Sequence, residues 1–227
     1  MNHPRRAHPQ PQPSRLRALT DRVAWVISNA LSPPIVGVVG ALILTLREPT
    51  LAAGKWLLFG VYVLLAVALP TGLVFALVAA GRIGDVNMNA REERARPYVF
   101  AVACMAIASL VMLAARAPLA FLALSLATCL LYALLWAISL RSKVSAHSAG
   151  MGLFSAMFVV TTGGPLLLAA PLTLAVMWAR VRMRRHTWAQ TIAGVLLGGV
   201  SFLAVWLAVT GGGTGDVIAI KLLKGHD

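Results

Sequence analysis

An all-helical bundle that crosses a membrane several times is the fold this sequence predicts, and three observations carry the prediction. Apolar side chains make up 59% of the 227 residues and charged ones only 12%, whereas a soluble domain has about 45–50% and about 25%. Mean hydropathy is +0.81, which excludes a disordered chain. The apolar residues fall into runs that cross, or nearly cross, a bilayer, which takes about 20 residues. The formal net charge of +13 would fit a nucleic-acid partner in a soluble chain. Here the basic residues sit in loops between apolar runs, where they set topology and meet anions, so membrane lipids are the expected partners and no nucleic acid is. Cys104 and Cys129 both lie inside apolar runs; they form no disulfide framework or zinc spacing and read as small core residues.

Taken in order, residues 1–14 are Pro-rich and basic and read as a disordered tail. No apolar stretch with a small-residue cleavage site follows closely, so no signal peptide is expected. Residues 15–32 have amphipathic helical character and read as an interfacial helix or the start of the first span. Pro33 and Pro34 end that helix and open a membrane domain at 33–210. Spans are predicted near 34–46, 56–80, 98–115, 118–140, 149–163, 165–179 and 187–210, six or seven in all. The fifth and sixth come from one apolar stretch, divided at Gly163, Gly164 and Pro165 because Gly ends a helix and Pro cannot continue one. Each half would be about 24 Å long. Residues 211–227 read as a C-terminal tail.

With seven spans the termini lie on opposite sides. Basic residues at 5–22, 82–96, 141–143 and 180–185 then share one side, fifteen in all, against five (Arg47, Lys55, Arg116, Lys221, Lys224) on the other. Positive charge favours the cytoplasmic side, so the first side is predicted to be cytoplasmic.

Three polar islands interrupt the apolar chain, and all fall on that side. Residues 81–98 hold Arg82, Asp85, Arg91, Arg94 and Arg96, closed by Pro97. Arg91 and Arg94 share a helix face if the segment is helical, and paired guanidinium forks suit a phosphate; a solvated loop gripping lipid headgroups would use the same residues. Residues 140–150 hold Lys143, Ser145 and His147 just before an apolar run, a set that can bind an anion and move a proton. Residues 178–190 hold Arg180, His186 and Gln190. If His186 and Gln190 begin a helix, the Gln oxygen can accept the imidazole Nδ1–H, which fixes the tautomer and leaves Nε2 free to attack. His3, His8 and His226 lie in the tails, so His147 and His186 are the two membrane-framed histidines of the chain.

These islands resemble, over residues 81–200, the type-2 phosphatidic acid phosphatase (PAP2) superfamily, in a divergent bacterial membrane branch. That family has a Lys and an Arg-Pro pair, then Pro-Ser-Gly-His, then Ser-Arg, five residues, His, three residues, Asp. The third motif here reads Ala179-Arg180, five residues, His186, three residues, Gln190; the second reads Val144-Ser145-Ala146-His147; the first ends in Arg96-Pro97, with Asn89 at the Lys position. The segment IAGVLLGG after Gln190 is similar to the family's Gly-rich helix.

The resemblance implies an integral membrane enzyme, a lipid phosphatase of the bacterial inner membrane, acting on a phosphomonoester or pyrophosphate of a polyprenyl or glycerolipid substrate. By the same resemblance His186 is the nucleophile, His147 the general acid and base, and Gln190 the orienting residue where the family has Asp. Arg180, Arg91, Arg94, Arg96, Lys143 and Ser145 would bind phosphate, Asp85 would organise the loop, and neither metal nor cofactor would be required. The neutral Gln190 also leaves room for a relative that binds or transports lipid phosphate without turnover.

Overall fold

A computed structural model of the chain describes residues 15–48, 54–86, 88 and 92–211. Arg91 and the two predicted tails, 1–14 and most of 211–227, lie outside the described residues. Within those described, the regular structure is all helical: α1 (Arg15–Ala30), α2 (Pro33–Arg47), α3 (Gly54–Tyr62), α4 (Leu69–Ala79), α5 (Ala95–Ala114), α6 (Leu119–Ser139), α7 (Ala146–Thr162), α8 (Leu166–Arg182) and α9 (Trp188–Val209). α3 runs into α4 through a π-helical stretch, Val63–Ala68, and a single 3₁₀ turn, Glu92–Arg94, leads into α5.

Proline and glycine set most of the boundaries. α2 starts on Pro33, where the absent N–H is one the first turn leaves unbonded anyway. α7 ends at Gly163, whose φ of 63° is the left-handed conformation that glycine adopts without strain, and Pro165 then caps α8. The predicted single run 56–80 is interrupted in a way its composition does not announce. Pro70 has no N–H to give the Ala66 carbonyl, and the helix widens just before it, with Leu69 N–H reaching back five residues to the Leu64 carbonyl.

Much of the outer surface is apolar. Leu57, Leu64, Leu110, Leu113, Leu167, Leu196 and Val200 are all more than half exposed, while buried Thr45, Ser109, Thr128 and Ser201 each donate to a carbonyl one turn back in their own helix. That is the arrangement of a chain whose solvent is lipid. Four stretches are long and apolar enough to cross a membrane: Gly54–Ala79, Glu92–Ala114, Leu119–Ser139 and Trp188–Val209. α1 and α2, bent by 48° at their break, make a fifth as one broken span. The protein is thus a membrane protein with four or five candidate spans, fewer than the six or seven expected. α7 and α8, at 17 residues each, reach about 26 Å, short of the roughly 30 Å hydrocarbon core.

The tightest packing joins α7 to α9. The two run parallel: Gly194 lies against Ser145 and Ser148, and Gly198 against Ala149 and Leu153, while Gly152 meets Val195. A Cβ on Gly194 would stand 2.6 Å from the Ser145 carbonyl oxygen. Small residues four apart let membrane helices touch backbone to backbone, and here they lock the starts of α7 and α9 side by side. α5 packs on α6, α6 on α9, α8 on α7, α2 on α7, and α1 along α8.

Candidate active site

Up-and-down winding brings the ends of α4, α6 and α8 and the starts of α5, α7 and α9 to one end of the bundle, and the three polar islands meet there. Arg185 Nη1 bonds Asp85 Oδ2 at 3.2 Å, linking the third island to the first. Arg94 Nη1 reaches the Val144 carbonyl at 3.5 Å, linking the first to the second. Ser145 N–H donates to the Gln190 carbonyl at 3.3 Å, linking the second to the third.

The spacing of Arg180 and His186 has a backbone cause. α8 stops at Arg182, Arg184 takes a left-handed φ of 56°, and the chain doubles back. The N–H groups of Arg185 and His186 then both donate to the Arg180 carbonyl, at 3.0 and 3.3 Å. Thr187 caps α9: its Oγ1 accepts from Gln190 N–H at 3.3 Å, and Gln190 Oε1 accepts from Thr187 N–H at 3.2 Å, a complete capping box. The same Oε1 lies 3.1 Å from His186 Nδ1. An oxygen that accepts from one N–H here accepts from the other, so Nδ1 carries the proton and Nε2 holds the lone pair. His186 therefore stands just before the helix rather than in its first turn, as the four-residue spacing had predicted, and the pair forms through the cap.

Burial, and after it the charge of Arg180, holds the His186 imidazole down to about 4, against the hydrogen bond that it donates to Gln190. It is neutral at neutral pH, as a nucleophile requires. An unfolded chain protonates this ring in the ordinary histidine range and the folded chain does not. Stability is therefore lost as pH falls from that range toward about 4, and His186→Asn flattens that slope in thermal melts. Gln190→Glu, isosteric but charged, should move the His186 titration upward in a ¹⁵N NMR pH series; an unmoved midpoint would mean that residue 190 does not govern the ring.

His147 sits in the first turn of α7 and lines the same cavity as His186, Arg94 and Arg180. Ser145 is the α7 cap: fully buried, its Oγ takes the Ser148 N–H at 3.3 Å and the Ser148 hydroxyl at 3.0 Å. Ser145, expected at the phosphate, is held inside the bundle as this cap and does not line the cavity. Arg180 is 2% exposed and donates from Nη1 to Ser28 Oγ at 3.0 Å, while its buried Nε–H has no acceptor among the described residues. Arg94, 5% exposed, is pinned by Nε to the Met88 carbonyl at 2.9 Å.

Arg96 points elsewhere. It is exposed, on the outer face of α5 beside Leu73, Val99 and Phe100, because the 3₁₀ turn ending at Arg94 turns Arg94, not Arg96, inward. Lys143 does not line the cavity, but its ammonium is lowered by burial and then by Arg94, Arg180 and Arg185, so it adds to one positive field. Asp85 holds Arg185, and Glu93 Oε1 accepts the Gly84 N–H at 2.8 Å to fold the same loop.

The cavity as a whole holds about 380 Å³, and behind these cations it continues between α2, the π stretch, α5, α6 and α7. Its walls are apolar: Val67, Ala101, Leu124, Leu131, Leu153, Phe154 and Met157 among them. From His147 to Met157 along α7 it runs about 15 Å, and the far end is marked by the Tyr62–Thr128 hydroxyl pair at 3.2 Å. α2 packs against α3 and the π stretch, and α4 instead against α5. The wall near Pro34, Val74 and exposed Phe75 is thereby left toward the lipid side.

No family model matches the chain, and no curated protein or solved structure matches it significantly. The site's meaning rests on its own chemistry.

Ser28 and Arg185 entered no motif in the sequence. The available signal for Ser28 was weak: Ala24 and Ser28, small and one turn apart, mark a packing face within an amphipathic helix.

Proposed function

We propose that this protein is a membrane phosphatase of the PAP2 type, acting on the phosphate of an amphiphile through a phosphohistidine. The observation that carries the reading is the convergence of an Nε2-exposing histidine, a second histidine and two buried arginines at the mouth of one apolar cavity. An anion fits the arginines and a hydrocarbon chain fits what lies behind them, so one molecule carrying both satisfies the site. A polyprenyl or glycerolipid phosphate is such a molecule.

In the mechanism, the phosphate sits against Arg94 and Arg180, whose forks bind its oxygens. His186 Nε2 attacks phosphorus as the bond to the leaving oxygen breaks, and His147, which enters the step as imidazolium beside the bound phosphate, gives that oxygen a proton and becomes neutral. Gln190 steadies the Nδ1–H of the ring that is now phosphorylated. His147 then takes a proton from water, the hydroxide attacks phosphorus, and the P–N bond breaks to free phosphate and restore His186. The protein's work is positioning and charge. Arg94 takes the role that the motif assigned to the arginine before Pro97. On this reading α2 and the helices from α3 through α9 make seven crossings, with the site on the cytoplasmic face; a tag in the Arg180–His186 loop that labels from outside the cell would contradict the orientation.

The test is phosphate release by purified protein in detergent with chelator, against a panel of prenyl and glycerolipid phosphates. Release from at least one member is expected, and Arg94→Ala should lower it by about 10²–10³. Phosphate binding with no release from any member would instead favour a lipid-phosphate binding or transport protein.

A further inference from the structure

We propose that the cavity behind the cations is a closed site for one hydrocarbon chain of about twelve carbons. The favoured substrate is then a single-chain phosphate with a short tail, of about three isoprene units, rather than a long polyprenyl or a two-chain glycerolipid phosphate. The cleavage of its head rests on the phosphatase reading; the fit of its tail does not.

The cavity stops at one level on each helix that lines its deep half. The deepest lining residues are Gly40 on α2, Tyr62 on α3, Ala101 on α5, Leu124 on α6 and Met157 on α7. About one turn beyond each stands a buried residue of the apolar core that does not line the cavity: Leu44, Leu58, Met105, Phe121 and Val160. A core packed as densely as an organic crystal leaves a chain no path between them. The depth from His147 to Met157 is about 15 Å, and an extended chain advances about 1.25 Å per carbon, which gives about twelve carbons. The volume agrees. A methylene takes about the space of a water molecule, about 30 Å³, so about 380 Å³ holds one such chain and not two.

Small residues keep the space open. Gly37, Gly40, Ala66 and Ala101 line it, and a Cβ at Gly40 would stand 3.2 Å from Met157 Cε. The deep end offers no donor to a polar chain end. Thr128 donates to the Leu124 carbonyl at 2.7 Å and so accepts from the Tyr62 hydroxyl, which engages both hydrogens. The wall left toward lipid lies at the mouth instead: Pro34 is in the first turn of α2, and Val74 is within two turns of the end of α4. A substrate enters there from the bilayer and seats its tail inward.

A chain-length series tests this. It consists of n-alkyl phosphates and the matching alkyl phosphonates, from about six to about twenty carbons, at equal mole fraction in nanodiscs. A tail that stays in lipid gains nothing there from added carbons. The phosphonates carry carbon in place of the ester oxygen, so they bind without being cleaved, and their binding is read as a rise in Tm. Both kcat/KM and the rise in Tm should peak near twelve carbons, and kcat/KM should fall about tenfold by twenty, where the extra carbons meet the core. Ala101→Leu, about 10 Å along α5 from Arg94, should move the peak to a shorter chain, and Met157→Ala to a longer one; the wild-type series decides alone if neither variant folds. A flat profile, a two-chain glycerolipid phosphate cleaved as fast as the best single-chain member, or no phosphonate binding would overturn the proposal. Release with a flat profile would remove the tail site and leave the phosphatase reading standing. No release with a peaked phosphonate profile would do the reverse.

Discussion

Replacing His186 with alanine should abolish phosphate release, by about 10⁴-fold or more, because groups that act as a unit fall together when the nucleophile is removed. The fold should survive. His186 is a loop residue whose side chain bonds Gln190, and the cap of α9 persists through Thr187 and Gln190 alone. His147→Ala should fall less, by about 10²–10⁴, and more for a poor leaving group than for an activated one such as a nitrophenyl phosphate, since only the poor one needs the proton. Equal losses on both substrates would remove His147 from the acid role. Unchanged release by His186→Ala would remove the covalent route.

Gly198→Leu should be the most destabilising single change in the bundle. A Cβ at Gly198 falls on the Ala149 carbonyl, and Gly152 has the same relation to Val195; in both cases backbone, not a flexible side chain, stands in the way. α7 and α9 must part, at a cost of about 3 kcal/mol or more. The starts of those helices carry His147 and Gln190, so catalysis should fail along with stability. Gly60→Leu, where a Cβ meets nothing within 4 Å, is the control. Thermal melts in detergent that show equal effects at the two positions would contradict the close packing.

Much of this was legible in the sequence because polar residues are scarce in an apolar chain. The islands at 81–98, 140–150 and 178–190 stood out for that reason, and an even number of helices between them returned all three to one end of the bundle. The break at Gly163, Gly164 and Pro165 was legible because two residue types with opposite backbone demands lie together. What was not legible depends on local phase or on tertiary reach. Arg94 and Arg96 differ in direction only through a single 3₁₀ turn. The widened helix before Pro70 follows from one missing N–H within a run that otherwise reads as continuous. His186 bonds Gln190 from outside the helix, which spacing alone renders as a shared face. Ser28 enters the site through a contact 152 positions away in sequence, for which no local pattern exists.

The proposed reaction bonds phosphorus for a time to His186 Nε2. The most direct measurement is to mix the protein with a prenyl phosphate labelled on phosphorus, quench in base within the first turnovers, and map the label by peptide mass spectrometry. Phosphate is expected on the His186 peptide, stable in base, lost in acid and absent from His186→Ala. Sustained turnover with no labelled histidine, or with the label on His147, would contradict it.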